Sequence, residues 1–195
     1  MVSKHWTSVI AKNCITIEQE LVGFPFHNRN LLIRALLRRA AYDHKDFPKD
    51  YRMVGFQNGI DTLGDKILDF AIYDHFIDTF LGYETMNRRQ IKGIINGYRE
   101  WYSANDILHD YSLDCIILQK YVIWGTDEFD KQIWAKDGTK ILADCFEALV
   151  GAVYKDAGLA GVRTLLENIR YYDTIDSLRF QKGQAKRDFR MAAGV

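Results

Sequence analysis

Apolar residues recur at spacings of three and four along most of this chain, and no stretch alternates regularly between apolar and polar residues. Spacings of three and four place side chains on one face of a helix, whereas alternation indicates a strand. The pattern therefore predicts an all-α protein, and the two prolines are too few to interrupt long helices. The predicted helices lie near residues 15–22, 29–42, 57–81, 85–108, 138–156 and 159–172.

Two of these helices each carry a pair of acidic residues within apolar sequence. Asp61 and Asp65 lie four residues apart in one helix, and Asp144 and Glu147 lie three apart in the other. Both spacings put two carboxylates on one helical face, and burying unpaired carboxylates is costly. If the helices face each other, the carboxylates repel unless divalent cations neutralise them, and a set of oxygen ligands suits Mg²⁺ or Mn²⁺.

A solvated acidic face is the ordinary alternative to this metal site. An acidic pair at helical spacing more often faces water or pairs with Lys and Arg. A solvent-exposed face around Asp144 and Glu147 is disfavoured, because the neighbouring positions are apolar: Leu142, Ala143, Phe146, Leu149 and Val150. The residue pattern by itself leaves both interpretations open.

The two acidic segments also resemble the ribonuclease III family. The first is DTLGDKILD at residues 61–69, and the longer and more specific second is ILADCFEALVGAVYKDAG at residues 141–158. Similarity at residues 20–26 and 31–42 extends the resemblance over roughly residues 15–172. It implies the all-α fold of the ribonuclease III endonuclease domain, forming a homodimer that cuts double-stranded RNA with Mg²⁺, for which Mn²⁺ can substitute, and with no organic cofactor.

The resemblance also assigns roles to the four acidic residues. Asp61, Asp144 and Glu147 would bind the metal directly, and Asp65 would coordinate it or order its bound water; all four are the candidate catalytic residues. Two ions would activate a water for in-line attack and stabilise the departing oxygen, leaving 5′-phosphate and 3′-hydroxyl ends in an RNA-processing reaction. Recognition of the duplex would depend on its A-form shape, phosphates and 2′-hydroxyls.

Some positions depart from the family pattern. Asp61 stands where Glu is usual, which keeps the charge but shortens the side chain by one methylene. Asn58 replaces another usual Glu, which puts substrate engagement in question. Thr62 replaces an aromatic residue that usually anchors the partner subunit, so we expect a labile dimer. Lys140, four residues before Asp144, matches a lysine of Dicer-type members and is a candidate phosphate contact; a surface lysine at a helix start is the equal alternative.

The formal net charge is zero, with 26 basic and 26 acidic residues. Nucleic-acid binding therefore requires clusters of Lys and Arg. Such clusters occur at Arg29, Arg34, Arg38 and Arg39, at Arg88, Arg89 and Lys92, and at Arg179, Lys182, Lys186, Arg187 and Arg190. We take Asn58, Lys92 and Lys140 as candidate RNA contacts, although each cluster also fits a solvated helix face.

Length and composition favour one catalytic domain, residues 1–175, followed by a basic tail, residues 176–195. This length leaves no room for the separate double-stranded-RNA-binding domain of bacterial relatives, so we expect a partner, a missing segment or the dimer itself to supply affinity. Three cysteines without ligand spacing favour a reducing cytoplasm. The absence of an apolar run long enough for a membrane span predicts no membrane association. Polar loops at 44–57 and 125–138 precede the acidic helices and are expected to flank the substrate.

Other classes of function remain open at this stage. A non-cleaving ribonuclease III-like RNA-binding or ribosome-associated scaffold is the strongest alternative, because Asn58 and Thr62 depart from the family pattern. A helical nucleotide pyrophosphatase would need a Glu-x-x-Glu motif, which is absent. A phosphohydrolase of the HD type would use histidines, for which the dipeptide His109-Asp110 is a weak indication.

Overall fold

A computed structural model describes residues 2–80, 88–136 and 138–181. Over these ranges the chain is helical and forms no β-strand, which confirms the all-α prediction. Its helices are α1 (Val2–Ile17), α2 (Arg29–Leu36), α3 (Arg39–Tyr42), α4 (Lys49–Arg52), α5 (Ile60–Phe80), α6 (Arg88–Tyr102), α7 (Asn105–Asp110), α8 (Thr126–Asp130), α9 (Ile141–Asn168) and α10 (171–181). A π-helical turn (Glu18–Val22) extends α1. Within the described parts of the chain, every helix is too short or too polar to span a lipid bilayer.

Several helix boundaries differ from the prediction. The predicted helix 29–42 is divided at Leu37, whose extended backbone forms a bridge with Ile123. The predicted helices 138–156 and 159–172 are one long helix, α9, which is kinked at Gly158 where φ is +65°. The break was therefore predicted in the right place, but the chain continues as a helix on both sides of it.

The two acidic helices, α5 and α9, cross with their backbones in contact at two glycines. A Cβ atom added to Gly64 would lie 1.6 Å from the carbonyl oxygen of Glu147, and one added to Gly151 would lie 2.2 Å from the carbonyl oxygen of Ile60. No side chain fits between the helices at these points. Glycine is thus required by the close approach of the two backbones.

Buried aromatic residues secure the neighbouring helices against α9. The rings of Tyr111 and Phe146 have centroids 5.8 Å apart, and Tyr171 stacks on Phe146 at 5.6 Å. Their buried hydroxyl groups are satisfied, because Tyr111 donates to the carbonyl of Ile169 and Tyr171 to the carbonyl of Tyr102, each at 2.8 Å. These contacts fix α6, α7 and α10 around the long helix.

Helix α10 crosses residue 175, where we expected the catalytic domain to end. Arg179, counted above in the basic tail, donates from Nε to the carbonyl of Trp101 at 2.7 Å and from Nη2 to that of Glu100 at 3.2 Å. Its guanidinium also lies 4.5 Å from the ring centroid of Trp101. Arg179 thus caps the end of α6. The rest of the predicted tail, residues 182–195, lies outside the described residues.

Candidate active site

The crossing of α5 and α9 brings the two acidic pairs together. Asp61 lies in the first turn of α5 and Asp144 in the first turn of α9. Asp65 directly follows Gly64, the glycine whose backbone contacts the carbonyl of Glu147. The charges of Asp61, Asp65 and Asp144 all act on Glu147, so the four carboxylates lie in one region of the crossing, and all four side chains are partly exposed.

Glu147 has the most perturbed carboxyl group of this set. Burial, the largest cause, and the negative charges of Asp65, Asp144 and Asp61 together raise its pKa to about 7, while Lys140 opposes them. Without a cation, this carboxyl group therefore changes its protonation state near neutral pH and not near pH 4.5. Such repulsion among clustered carboxylates is the condition under which a divalent cation binds favourably.

Two lysines pair with members of the carboxylate group. Lys140 Nζ lies 3.3 Å from Asp144 Oδ1, and Lys66 Nζ lies 2.8 Å from Asp65 Oδ2. The hydrogen bond to Asp144 raises the pKa of Lys140, as do the charges of Asp144, Glu147 and Asp61. Lys140 thus lies beside the carboxylates. Lys66 was not identified from the sequence, because neighbouring positions do not usually face each other on a helix.

The carboxylates are engaged with protein groups rather than arranged as a ready ligand set. Asp61 Oδ1 accepts the backbone N–H of Thr62 at 2.7 Å, and lysines hold Asp65 and Asp144. Accordingly, no three His, Cys, Asp or Glu residues in the described ranges form a group that could hold a metal ion as it stands. The donor chemistry still fits Mg²⁺ or Mn²⁺, since all four side chains are carboxylates and supply only oxygen donors.

Asn58 lies in the turn that leads into α5. Arg34 fixes this turn by donating from Nε to the carbonyl of Phe56 at 3.1 Å and from Nη2 to the carbonyl of Asn58 at 2.7 Å. The following residue, Gly59, has a φ of +81° that turns the chain into the helix. The side chain of Asn58 is exposed.

Lys92 lies away from the carboxylates. Helix α6 runs antiparallel to α5, because Arg99 pairs with Asp69 at 3.3 Å while Asn96 accepts a hydrogen bond from Tyr73 at 2.8 Å. Continuing this register places Lys92 near the far end of α5, roughly 18 Å along the helix from Asp65. Lys92 is exposed, but the structure does not bring it to the site.

The face of α5 that carries Thr62 is open to solvent. Thr62 is exposed, and its hydroxyl lies 3.4 Å from Asp61 Oδ1. Lys66 and Phe70 follow it at intervals of four residues, and Ile77 lies two turns beyond Phe70. Phe70 is 49% exposed and Ile77 is 42% exposed, so this face offers apolar surface farther along α5 than the carboxylates.

Both loops that precede the acidic helices are anchored to the body of the protein. In the 44–57 loop, Phe47 packs edge-on against Trp6 of α1 with ring centroids 5.6 Å apart, and the loop contains the short helix α4. The second loop contains α8, and its Glu128 Oε1 accepts a hydrogen bond from Arg38 Nη2 at 3.2 Å. Residue 137 of this loop lies outside the described residues.

His109 does not form a metal site with its neighbours. Its side chain is buried, with 7% exposed, and its Nδ1 atom makes no hydrogen bond among the described residues. Because no group of three potential metal ligands occurs in those residues, the geometry gives no support to a phosphohydrolase of the HD type.

Comparison with known proteins identifies several relatives of the same kind. Ribonuclease 3 of Listeria monocytogenes is 28% identical over 153 residues, covering 77% of this chain and 60% of the relative. Ribonuclease 3 of Francisella philomiragia is 30% identical over 154 residues, covering 76% of this chain and 55% of the relative. The chain therefore spans about 55–60% of the length of these relatives.

The fold is that of a known nuclease domain. The crystal structure of the nuclease domain of ribonuclease III from Campylobacter jejuni matches 81% of this chain and 94% of its own, with a TM-score of 0.57 and 24% identity. A second structure of that domain, described for structural flexibility in a region involved in dimer formation, matches with the same TM-score and 23% identity. The family model for ribonuclease-III-like proteins matches residues 30–171, which include both acidic helices, and the protein therefore belongs to the ribonuclease-III-like family.

Proposed function

We propose that the protein is a Mg²⁺-dependent endoribonuclease that cleaves double-stranded RNA and leaves 5′-phosphate and 3′-hydroxyl ends. The observation that carries this proposal is the meeting of Asp61, Asp65, Asp144 and Glu147 where α5 and α9 cross, within a ribonuclease-III-like chain. The two Ribonuclease 3 relatives support the same class of reaction.

The four carboxylates would hold Mg²⁺, or Mn²⁺ in its place. When bound, the metal would supply Lewis-acid stabilisation of the phosphodiester and an activated water. The contribution of the chain is to hold these residues on two helices whose backbones touch, and Asp65 and Asp144 would exchange their lysine contacts for the metal. Lys140, whose ammonium lies beside Asp144, would contact a phosphate oxygen of the cleaved strand.

RNA contacts would spread outward from this centre. The exposed side chain of Asn58 lies at the start of α5 and would reach the strand held at the carboxylates. Lys92 remains a proposed contact, but its place near the far end of α5 means that it would meet phosphates farther along the duplex. Recognition would depend on duplex shape, because the deep and narrow major groove of A-form RNA keeps side chains from reading the bases there.

A homodimer would form through the exposed face of α5. Phe70 and Ile77 supply apolar surface there, and the dimer-forming region described for the Campylobacter jejuni nuclease domain supports such an assembly for this fold. Thr62 offers no large side chain to a partner, so the dimer would dissociate readily. We place the enzyme in the cytoplasm, in keeping with its three free cysteines.

The test compares the unmodified protein with Glu147→Gln, which keeps the side-chain size but removes the charge. With Mg²⁺, the unmodified protein should cut duplex RNA, and the variant should be slower by at least about a thousandfold because it loses transition-state stabilisation by the metal. Glu167→Gln is the matched control, since Glu167 is an exposed glutamate of the same helix.

Three measurements should accompany this assay: mapping of the product ends, removal of the metal with EDTA, and duplex binding by each variant. Full cleavage by Glu147→Gln would contradict the site. Binding without any cleavage by the unmodified protein would favour the non-cleaving scaffold instead.

A further inference from the structure

Gln57 is a buried glutamine placed four residues before Asp61, with 5% of its surface exposed. Its Nε2 donates to the carbonyl of Ala35 at 2.7 Å and to Cys145 Sγ at 3.2 Å. Its Oε1 accepts a hydrogen bond from Arg38 Nη1 at 3.2 Å. Because arginine can only donate, this contact fixes which end of the amide faces Arg38.

These bonds connect the beginnings of the two acidic helices. Ile60, the first residue of α5, donates its backbone N–H to the carbonyl of Gln57 at 3.0 Å. Cys145 follows Asp144 in the first turn of α9. The backbone N–H of Gln57 also donates to the carbonyl of Leu37 at 3.2 Å. Gln57 therefore ties the turn that carries Asp61 to the turn that carries Asp144.

Arg38 extends the connection to the loop that leads into α9. It donates from Nη2 to Glu128 Oε1 at 3.2 Å, and its guanidinium carbon lies 5.9 Å from the ring centroid of Trp124. Glu128 in turn accepts the backbone N–H of Gly125 at 3.2 Å. A continuous set of hydrogen bonds thus runs from the loop, through Arg38 and Gln57, to the acidic end of α9.

We infer that Gln57 is a positioning residue that holds Asp61 against Asp144 and Glu147, and thereby sets the affinity of the carboxylate group for its divalent cation. The inference rests on the proposed function. The glycine crossing holds the backbone of α5 at Ile60 and Gly64, and the hydrogen bonds of Gln57 hold the turn that leads into Ile60, so both sets of contacts fix the start of the helix. Without the amide, the carbonyl of Ala35 loses this donor, Arg38 keeps only Glu128, and the turn before α5 loses its hydrogen bond to Cys145 of α9.

The test replaces Gln57 with Met, which has similar length but forms none of these hydrogen bonds. Gln119→Met is the matched control, because Gln119 is a partly buried glutamine that donates to the carbonyl of Leu113 at 3.2 Å, outside both acidic turns. Calorimetric titration with Mn²⁺ should show binding to Gln57→Met weakened by about tenfold or more. On duplex RNA, kcat should fall while KM changes by less than about threefold. Gln119→Met should bind Mn²⁺ as the unmodified protein does.

Equal Mn²⁺ affinity in Gln57→Met and the unmodified protein would overturn the inference, and so would an equal loss in Gln119→Met. If Gln57→Met does not fold, Cys145→Ala removes only one of the hydrogen bonds. It should then weaken Mn²⁺ binding in the same direction by a smaller factor, and unchanged binding would overturn the inference.

A metal-independent measurement separates this inference from the proposed function. If the unmodified protein binds no Mn²⁺, the proposed metal chemistry fails. Backbone amide chemical shifts of Asp61 and Asp144 in the metal-free protein then decide the positioning role. If these chemical shifts change in Gln57→Met but not in Gln119→Met, the positioning role of Gln57 is supported. If they do not change in Gln57→Met, the positioning role is overturned.

Discussion

Glu147 makes the stability of the metal-free protein depend on pH in a specific direction. Its pKa is raised from 4.5 to about 7 in the folded protein. Between these values the folded state binds more protons at this group than the unfolded state, so the free energy of unfolding falls as pH rises. The effect should reach about 1–2 kcal/mol after allowance for the partial exposure of the side chain.

Urea denaturation in EDTA at several pH values between 4.5 and 8 measures this effect. The unmodified protein and Glu147→Gln share all other titrating groups. The difference between their free energies of unfolding therefore reports the contribution of the Glu147 carboxyl group. The free energy of unfolding of Glu147→Gln should increase relative to that of the unmodified protein as pH rises to about 7, and the difference should then stay constant. A difference that does not change with pH would show that the carboxyl group is not perturbed.

At the scale of elements, the contact between α5 and α9 should tolerate no added side chain. The new methyl group in Gly151→Ala would lie 2.2 Å from the carbonyl oxygen of Ile60 and must push the helices apart. We expect a loss of about 1–3 kcal/mol in the free energy of unfolding, with a loss of cleavage as the carboxylates separate.

Gly97→Ala serves as the control, because an added Cβ at Gly97 in α6 meets no atom within 4 Å. It should stabilise the protein by about 0.4–1 kcal/mol, since alanine loses less backbone entropy on folding. Urea denaturation and the duplex-cleavage rate of both variants provide the measurement. Equal stability of the two variants would contradict the tight crossing.

The elements that follow a strong local pattern were predictable. Helix α5 was predicted at 57–81 and runs over Ile60–Phe80. The helix predicted at 29–42 failed for a non-local reason: it is divided because the chain at Leu37 pairs with Ile123, far away in sequence. No local spacing indicates that partner.

Helix α1 shows a pattern that was present but not recognised. It was predicted to begin near residue 15, yet it begins at Val2. Its inward residues Ile10, Cys14 and Ile17 lie four and three apart and are almost completely buried. Polar residues on the other face obscured this regularity.

The candidate site was predictable in its residues more than in its contacts. Spacing placed Asp61 with Asp65 and Asp144 with Glu147, but it does not determine where two helices cross. That depends on the approach of Gly64 and Gly151. The roles of Gln57 and Lys66 depend on side-chain contacts across and along the helices, which spacing rules do not describe.

For the whole molecule, Thr62→Phe should strengthen the proposed dimer. Thr62 is exposed on the face of α5 that also presents Phe70, and a large apolar side chain there would add buried area between subunits. Sedimentation at low and high micromolar concentrations should show that the variant dimer persists at lower concentration than the unmodified one. A strictly monomeric protein that cuts duplex RNA at full rate would refute the dimer.

Binding of duplex RNA should depend strongly on salt, because a shape-reading surface binds mainly to phosphates. Deleting residues 182–195 removes four basic residues: Lys182, Lys186, Arg187 and Arg190. The deletion begins after Arg179 because that residue caps α6. Binding should weaken, and the slope of log affinity against log salt should fall by about one for each phosphate that is no longer neutralised. An unchanged slope would show that these residues do not bind RNA.

The backbone contact between α5 and α9 also limits how the protein can change during evolution. Many enzymes adjust the spacing of a site by exchanging larger and smaller side chains between its supporting helices, but here Gly64 and Gly151 already allow the shortest approach. The shorter reach of Asp61, compared with the glutamate usual in the family, cannot be recovered by moving the helices closer. Under the proposed function, metal preference would therefore change through the lengths of the acidic side chains, and a cation with longer bonds than Mg²⁺ would gain from the shorter side chain of Asp61.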